Sequence, residues 1–266
     1  MEQTRVMVAG AAGRMGQAVM KGVLEDEHCL LVGALDVRLQ GVDVGVLLGR
    51  ECLGVEIESD LQRIVEKARP DVMVDFTSAE VAIENIRTAL SFGVYPVVGT
   101  TGFKEEDLEE IHNICENNNV GAFFAPNFAI GAVLMMQYAA NAVKYFPNVE
   151  IIELHHDQKI DAPSGTALRT ADLIALNRKK TSHPLKGEEK LLGARGGDYE
   201  GIRVHSVRLP GLVAHQEVVF GGLGQTLTIR HDSISRESFI PGVLLAVKEA
   251  PKRKGVVVGL EKLMSL

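Results

Sequence analysis

The chain has 266 residues, 46% of them hydrophobic, which suffices for one large domain or two modest ones with a sizeable core. A formal net charge of −7 argues against nucleic-acid binding, and the absence of both a signal-peptide pattern and a ~20-residue apolar run argues against a membrane protein. The three cysteines, Cys29, Cys52 and Cys115, lack metal-like spacing, so we expect free thiols in a reducing cytoplasm.

The chain begins with a pattern typical of a dinucleotide-binding domain. Residues 5–9 form an apolar run that predicts a buried parallel strand, and helical spacing begins at about Met15. Between them lies the glycine turn Gly10-Ala11-Ala12-Gly13-Arg14-Met15-Gly16, whose backbone N–H groups and helix start can hold a pyrophosphate. The spacing G-x-x-G-x-x-G departs from the commoner G-x-G-x-x-G, so the motif carries little weight alone.

The second predicted strand, residues 30–35, ends at an acidic residue. Asp36 lies where an adenosine ribose would be hydrogen-bonded. Arg38 just beyond it, or Arg14 in the glycine turn, could meet a 2′-phosphate instead. These residues favour dinucleotide binding over a structural βαβ unit without a ligand, and they leave NADH and NADPH open.

Strands and helices continue to alternate as far as residue 126. Predicted strands at 72–76, 94–98 and 121–124 end in loops of small or polar residues, and predicted helices follow at 79–92 and 105–117, the latter with His112 on its inner side. The three loops contain Thr77-Ser78, Gly99-Thr100-Thr101-Gly102 and Ala125-Pro126-Asn127-Phe128. Ligands of open α/β sheets bind at the carboxyl ends of strands, so this repetition predicts a cofactor crevice, although residues 99–102 alone would read as a plain turn.

The alternation ends near Asn127, where we place a domain boundary. Helices are predicted at 131–145, 165–177 and 236–248, and strands at 149–155, 202–208, 215–220, 225–231 and 256–258. The polar, glycine-rich stretch 178–199 predicts a long loop. The predicted fold class is α/β: a Rossmann-like doubly wound parallel sheet in residues 1–126 and 237–266, with a smaller α+β domain in 127–236 whose sheet is mixed or antiparallel.

The highest density of potentially catalytic or ligand-binding side chains lies in residues 153–166, Glu-Leu-His-His-Asp-Gln-Lys-Ile-Asp-Ala-Pro-Ser-Gly-Thr. Ser164 is a predicted N-cap, and a helix start that includes Gly165 suits an anion. His155 and Lys159 can hold or transfer protons near neutral pH. This segment alone leaves two interpretations open: a site that grips a carboxylate or phosphate beside a proton donor, or a charged strand end followed by an ordinary capped helix. His155 and His156 would point to opposite faces of a continuing strand, which argues against a shared metal.

Four of these pieces resemble the dihydrodipicolinate reductase family, also called 4-hydroxy-tetrahydrodipicolinate reductase, of the diaminopimelate–lysine pathway. They are GAAGRMG at 10–16, GTTG at 99–102, APNF at 125–128 and ELHHDQKIDAPSGTA at 153–167, and they occur in family order. The resemblance implies a homotetramer that uses NADH or NADPH to reduce a small cyclic dicarboxylate by hydride transfer to its ring. The charge and composition noted above predict neither nucleic-acid nor membrane partners.

The resemblance also implies roles for individual residues. His155 would be the proton donor or acceptor and Lys159 a proton donor. The substrate would be bound by His156, Ser164, Gly165 and Thr166. The cofactor would be lined by Gly10, Ala11, Ala12, Gly13, Arg14, Met15, Asp36, Gly99, Thr100, Thr101, Ala125, Pro126, Asn127 and Phe128. Arg236 matches more loosely, at the return to the first domain, and a surface role is the simpler interpretation.

Two other functions stay open at this point. One is an oxidoreductase that acts on another small dicarboxylate or amino acid, such as an aspartate dehydrogenase. The other is a nucleotide-sensing or assembly protein without turnover, which has no need of the proton donors His155 and Lys159.

Overall fold

The computed structural model describes residues 3–179 and 188–264. The chain divides into two compact units, one formed by Met1–Phe128 with Phe239–Leu266 and the other by Ala129–Ser238. The predicted domains, 1–126 with 237–266 and 127–236, differ from these units by two residues at each junction. Their assignment to cofactor and substrate stays a prediction.

The elements follow one another in an alternating order through the first half of the chain. The strands are β1 (Thr4–Ala9), β2 (Cys29–Leu35), β3 (Ile57–Glu58), β4 (Val72–Asp75), β5 (Tyr95–Val98), β6 (Gly121–Phe124), β7 (Asn148–His155), β8 (Gly197–Tyr199), β9 (Ile202–Arg208), β10 (Ala214–Gly222), β11 (Gln225–Ser233) and β12 (Gly255–Val258). The α-helices are α1 (Arg14–Glu25), α2 (Val44–Leu47), α3 (Leu61–Ala68), α4 (Ala79–Ser91), α5 (Glu105–Asn118), α6 (Ile130–Ala142), α7 (Gly165–Asn177) and α8 (Ile240–Glu249).

The first unit contains a parallel sheet in the order β12-β6-β5-β4-β1-β2-β3. Its central strands are mainly apolar, as expected of strands covered on both faces: Val6, Met7, Val8 and Ala9 of β1 are all fully buried. The strand order reverses between β1 and β4, and such a switch point is where open α/β sheets bind their ligands. This architecture confirms the predicted Rossmann-like domain.

The second unit contains a mixed sheet in the order β11-β10-β7-β9-β8. Only β7 and β9 pair in parallel, and the other neighbours are antiparallel. One face buries Ile151 and Val218 together with Ala171 and Ile174 of α7. The opposite face carries Ile152 and Leu154 of β7 with Val207 and Val219 from its neighbours, and these side chains are only half-buried. The smaller α+β module is thus also confirmed.

Several predicted boundaries were wrong. Helix α6 ends at Ala142 rather than at 145. The predicted helix 236–248 begins as a 3-10 turn, Arg236–Phe239, and α8 starts only at Ile240. Pro241 explains this start, since proline lacks an N–H and suits the first turn of a helix.

The predicted loop 178–199 is shorter than expected. Its last residues, Gly197–Tyr199, form β8 and pair with β9. Residues 180–187 lie outside the described part of the chain. The short elements α2 and β3 were not predicted, because four and two residues are too few for a periodic signal.

His112 is a further correction. It was expected on the inner side of α5, but its side chain is 53% exposed and lies 3.2 Å from Glu116. Ile111 and Cys115, four residues apart, are the residues that α5 buries. Cys29, Cys52 and Cys115 are free thiols, as predicted. None of the described helices is long and apolar enough to cross a membrane.

Candidate active site

The first unit gathers most of the predicted cofactor residues along one edge of its sheet. Strand pairing sets Ala9 level with Leu35 and Asp75, and it sets Val98 level with Asp75 and Phe124. Because parallel strands that end level deliver their following loops to the same edge, five segments lie there together. They are residues 10–16, 36–38, 76–78, 99–101 and 125–128.

The glycine turn after β1 requires glycine at two positions. Gly10 has φ +82°, and a Cβ there would lie 2.8 Å from the Phe76 carbonyl oxygen. A Cβ on Gly16 would lie 2.1 Å from the Gly10 carbonyl oxygen, so the helix could not approach the turn this closely. Gly13 is the N-cap of α1 and donates its N–H to the Gly10 carbonyl at 2.9 Å. Glycine offers no side-chain acceptor to the first helical N–H groups, so this backbone fits a pyrophosphate.

Asp36 ties the end of β2 to the glycine turn. Its Oδ2 accepts the Ala12 N–H at 2.9 Å, and its Oδ1 accepts the Arg38 N–H at 2.9 Å and Nε–H at 3.2 Å. Burial alone would raise the pKa of Asp36, but the hydrogen bonds from Arg38 and Ala12 outweigh it and lower the pKa. Most of the acceptor positions of the Asp36 carboxylate are therefore occupied by groups of the protein, whereas the Arg38 side chain is 65% exposed. The pair offers a cation, and some residual acceptor capacity, to an adenosine ribose or its 2′-phosphate.

Asp75, at the end of β4, was missed by the sequence analysis. It is fully buried and accepts the Thr77 N–H at 2.9 Å, the Thr77 hydroxyl at 2.7 Å, the Asn85 side-chain N–H at 2.8 Å and the Thr100 hydroxyl at 2.9 Å. It thereby fixes the loops that follow β4 and β5. The signal that could have found it is the one used for Asp36, an acidic residue that ends a buried strand.

The other predicted cofactor positions differ in what they can present to a ligand. Phe128 is 1% exposed, and its ring centroid lies 5.7 Å from that of Phe76, so only its backbone could face a ligand. Ala125 is also buried, and the Thr100 hydroxyl is used by Asp75. The exposed positions are Arg14, Thr101 and Pro126, and the half-buried ones are Gly10, Ala12, Gly13, Met15, Gly99 and Asn127. Ala11 is buried.

In the second unit, β7 delivers His155 to the candidate site. The strand ends at this residue, so the alternation that was expected to separate His155 from His156 does not reach the exposed His156. The His155 side chain is 15% exposed, and its Nδ1 lies 2.5 Å from Oε2 of Glu153, two residues earlier on the same face. Among the described residues, no three His, Cys, Asp or Glu side chains are grouped to hold a metal.

Glu153 is fully buried and is paired with an arginine that the sequence analysis did not consider. Arg208 lies beside the end of β7 on β9 and donates to both carboxylate oxygens, at 2.8 and 2.7 Å. Burial alone would raise the pKa of Glu153, but hydrogen bonds from His155, Arg208 and Ser206 outweigh it and lower the pKa to about 2. Glu153 is therefore ionised at neutral pH and acts only as an acceptor.

Helix α7 begins as predicted. The Ser164 hydroxyl oxygen accepts the Ala167 N–H at 3.1 Å, which confirms the N-cap, and the Ser164 N–H donates to Glu153 Oε1 at 3.2 Å. Gly165 is exposed and Thr166 is half-buried. Apart from its two chain neighbours and the nearby backbone of α7, no described atom lies within 4 Å of the position of a Cβ on Gly165. A ligand therefore has open access to the helix start.

Lys159 lies in the connection between β7 and α7. Its Nζ donates to both oxygens of Asp161, at 2.7 and 2.9 Å, and this hydrogen bond lowers the pKa of Asp161. The Lys159 side chain is 21% exposed and Asp161 is 61% exposed, so this ion pair is open to exchange with another anion. Arg208 Nη2 also donates to the Asp161 carbonyl at 2.7 Å, which ties the connection to Glu153.

Both units of the chain are similar to known proteins. Residues 4–128 match the family model of the dihydrodipicolinate reductase N-terminus, and residues 131–264 match that of the C-terminus. The 4-hydroxy-tetrahydrodipicolinate reductase of Moorella thermoacetica is 57% identical over 260 residues, which cover 98% of this chain and 97% of that protein. The same enzyme from Desulfitobacterium hafniense strain DCB-2 is 54% identical over 267 residues, covering 99% of this chain and all of that protein.

Solved structures point the same way. A dipicolinate-bound dihydrodipicolinate reductase from Paenisporosarcina sp. TG-14 superimposes with a TM-score of 0.87 at 45% identity, covering 98% of this chain and 100% of that one. An amine dehydrogenase from Mycobacterium smegmatis, at 16% identity and a TM-score of 0.68, shares the fold alone. The family models together span nearly the whole chain, and the relatives exceed half identity over their full length. The chain belongs to the dihydrodipicolinate reductase family.

Proposed function

We propose that the protein reduces 4-hydroxy-tetrahydrodipicolinate to tetrahydrodipicolinate with NADH or NADPH, in lysine and diaminopimelate biosynthesis. The observation that carries the proposal is the second unit's cluster. His155, the last residue of β7, is hydrogen-bonded to the carboxylate of Glu153. The same carboxylate accepts the N–H of Ser164, the N-cap residue at the exposed start of α7. A proton carrier and an anion-binding helix start are what the reduction of a dicarboxylate requires.

The residues of the first unit fit a dinucleotide. The turn between β1 and α1 leaves room for a pyrophosphate at Gly10 and Gly13, and the buried Asp75 fixes the loops after β4 and β5. When bound, the reduced nicotinamide supplies a hydride to the substrate ring. We propose that Asp36 with Arg38 faces the adenosine ribose, where the carboxylate suits the hydroxyls of NADH and the guanidinium tolerates the 2′-phosphate of NADPH.

The substrate is proposed to be a small cyclic dicarboxylate. The relative from Paenisporosarcina is described as dipicolinate-bound, and dipicolinate is such a compound. The backbone N–H groups at Gly165 and Thr166, the Ser164 N-cap and the exposed His156 are the groups that we assign to a carboxylate. The absence of a side chain on Gly165 allows the carboxylate to approach the helix start closely.

His155 and Lys159 are proposed as the proton donors and acceptors. Hydride addition to a conjugated ring builds up negative charge, which a positioned imidazole or ammonium can neutralise with a proton. Such general acids contribute about 10²–10⁴-fold to a rate. Without substrate, the exposed Asp161 is ion-paired with Lys159, and a substrate carboxylate would compete with Asp161 for the ammonium group.

The protein is further proposed to be a cytoplasmic homotetramer. The support is the family membership together with the half-buried face of the second unit's sheet, on which Ile152, Leu154, Val207 and Val219 lie side by side. An aspartate-dehydrogenase-like activity is not favoured, because relatives from Moorella thermoacetica, Desulfitobacterium hafniense and Listeria welshimeri, at 57%, 54% and 50% identity, are named as 4-hydroxy-tetrahydrodipicolinate reductases.

The proposal is tested by following NADH and NADPH oxidation at neutral pH while a coupled synthase makes the substrate from pyruvate and aspartate semialdehyde. Rapid, synthase-dependent loss of absorbance is expected with at least one cofactor. A folded protein that binds NADH but oxidises neither cofactor would contradict the proposal and would favour the sensor or another substrate.

Two variants test the residue roles in the same assay. His155→Gln and Lys159→Ala should each lower kcat by about 10²-fold or more. The Kd for NADH should stay within about twofold, because neither residue belongs to the cofactor-binding unit. Near-normal kcat in both variants would remove them from the proton transfer.

A further inference from the structure

One buried side chain joins three parts of the candidate substrate site. Glu153 lies 2.5 Å from Nδ1 of His155, and it accepts from both Nη groups of Arg208 and from the Ser164 N–H at 3.2 Å. Arg208 in turn donates to the carbonyl of Asp161, in the connection that carries Lys159. The proton carrier, the helix start and the Lys159 connection are therefore fixed relative to the same carboxylate.

Arg208 has no accessible donor left for a substrate. Its Nη1 donates to Glu153 at 2.8 Å and to the Val207 carbonyl at 2.8 Å, and its Nη2 donates to Glu153 at 2.7 Å and to the Asp161 carbonyl at 2.7 Å. These four bonds use all four Nη hydrogens of a guanidinium group. The fifth donor, Nε, has no partner among the described residues, but it is buried and out of reach of a ligand. Arg208 therefore compensates the charge of Glu153 and supports the site, but does not bind the ligand.

The same accounting of donors and acceptors determines which ring nitrogen of His155 carries the hydrogen. An ionised Glu153 can only accept, so the ring nitrogen that faces it must bear the hydrogen. Resting on the function proposed above, we infer that Glu153 is the positioning residue of the reaction. It holds neutral His155 as the Nδ1–H tautomer, so that Nε2 exchanges the proton with the substrate, while it anchors the start of α7.

Replacing Glu153 by glutamine should reverse this arrangement with almost no change in shape. Each carboxylate oxygen accepts from one Nη group of Arg208 and also contacts either His155 or the Ser164 N–H, and only the nearby Ser206 hydroxyl could accept instead. In either orientation, the amide NH₂ of glutamine therefore faces Arg208 together with His155 or the Ser164 N–H. When it faces His155, it donates to Nδ1 and moves the hydrogen to Nε2. When it faces the Ser164 N–H, the anchor of α7 is lost instead. Either outcome impairs the site without removing volume from the core.

The direct test is the nitrogen spectrum of protein labelled with ¹⁵N in its histidines, with the His155 signals identified by their loss in His155→Gln. In the wild-type protein we expect a protonated Nδ1 and an unprotonated Nε2 at pH values where His155 is neutral. An Nε2–H tautomer would overturn the inference. This spectrum requires no turnover, so it can fail or succeed independently of the proposed reaction.

Kinetics and two variants complete the test. Glu153→Gln should lower kcat by about 10²-fold or more, with the Kd for NADH unchanged. Glu153→Asp, which keeps an acceptor-only carboxylate, should retain the Nδ1–H tautomer and recover part of kcat. If Glu153→Gln folds and keeps both the wild-type tautomer and kcat, the positioning role is refuted. If it does not fold, Glu153→Asp and the wild-type spectrum still decide.

Glu150 provides a matched control on the opposite face of β7. It accepts from His205 Nε2 at 2.8 Å and from Arg195, so it repeats the glutamate–histidine–arginine arrangement away from the proposed site. Glu150→Gln should alter the His205 signals and leave those of His155 in place. A change in the His155 tautomer in this variant would mean that any lost carboxylate on β7 disturbs the ring, and would overturn the inference.

Discussion

Two buried carboxylates, one in each unit, hold the loops near the ends of their own strands. Asp75 accepts four hydrogen bonds at the end of β4, and Glu153 is hydrogen-bonded to His155, Ser164, Arg208 and Ser206 near the end of β7. The two residues differ in the charge of their hydrogen-bond donors. Glu153 is paired with the cation of Arg208, whereas the four donors to Asp75 are neutral. A buried carboxyl group is tolerated only when such donors surround it. We therefore expect the removal of any one hydrogen-bond partner of Asp75 or Glu153 to lower the free energy of unfolding.

The first prediction concerns Gly165. An alanine there meets open space and extends the helix-favouring sequence of α7, so Gly165→Ala should be as stable as the wild type or up to ~1 kcal/mol more stable. Its methyl group would occupy the approach to the helix start. We therefore expect at least a ~10-fold rise in the substrate KM, measured beside thermal unfolding. An unchanged KM would move the carboxylate site away from α7.

The second prediction concerns stability in acid. The pKa of Glu153 is about 2 in the folded protein, compared with an ordinary value of 4.5. A lowered pKa contributes stability above the unfolded value, and this contribution is lost as the pH falls from about 4.5 towards 2. The difference in free energy of unfolding between wild type and Glu153→Gln should therefore shrink below about pH 4.5. Urea unfolding from pH 6 downwards measures it, and a difference that is constant across this range would contradict the assignment.

At the residue scale, sequence reasoning found the groups with a recognisable motif and missed those that hold them. His155, Lys159 and Ser164 lie in one contiguous segment, so their association could be predicted. Arg208 is 55 residues from Glu153, and only the parallel pairing of β7 with β9 brings the two together. Nothing in a local pattern indicates that pairing.

At the scale of elements, the strands and helices of the first unit were predicted closely because each carries a clear apolar period and ends in glycine or a polar loop. The errors occurred where the signal is short or mixed. The four residues of α2, the three of β8 and the 3-10 start before α8 depend on tertiary contacts or on Pro241 rather than on periodicity. The parallel pair within the second sheet likewise required the structure.

The third prediction concerns the contact between the glycine turn and α1. Gly16→Ala would put a Cβ 2.1 Å from the Gly10 carbonyl oxygen, a backbone atom that cannot rotate away, so α1 must move from the turn. We expect a lower melting temperature and at least ~10-fold weaker NADH binding by fluorescence titration. Gly165→Ala is the control, since it should leave NADH affinity unchanged. Normal affinity in Gly16→Ala would show that the turn does not hold the cofactor.

At the scale of the whole molecule, the open face of the second sheet is the feature that the proposed tetramer would use. It combines the apolar side chains of Ile152, Leu154, Val207 and Val219 with ion pairs such as Arg230–Glu217 at 3.1 Å. Apolar cores with polar surroundings are typical of subunit interfaces.

The fourth prediction tests that face. Ile152→Asp would introduce a charge among these apolar side chains, and it should shift the sedimentation velocity profile from a tetramer to smaller species. Leu176→Asp is the matched control, because Leu176 is 79% exposed on α7, away from this face. A wild-type protein that sediments as a monomer, or an Ile152→Asp variant that stays a tetramer, would contradict the proposed interface.

The discontinuity of the first unit has a consequence for synthesis on the ribosome. Strand β12 closes the sheet beside β6, yet residues 255–258 emerge more than 130 positions after residue 124. Until then, the backbone of residues 121–124 forms an unpaired edge beside Phe123 and Phe124, a template for mispairing between nascent chains. The second unit is continuous in sequence and can fold during that interval. A chain that stalls before residue 255 therefore carries a first unit whose sheet still lacks the strand that pairs with β6.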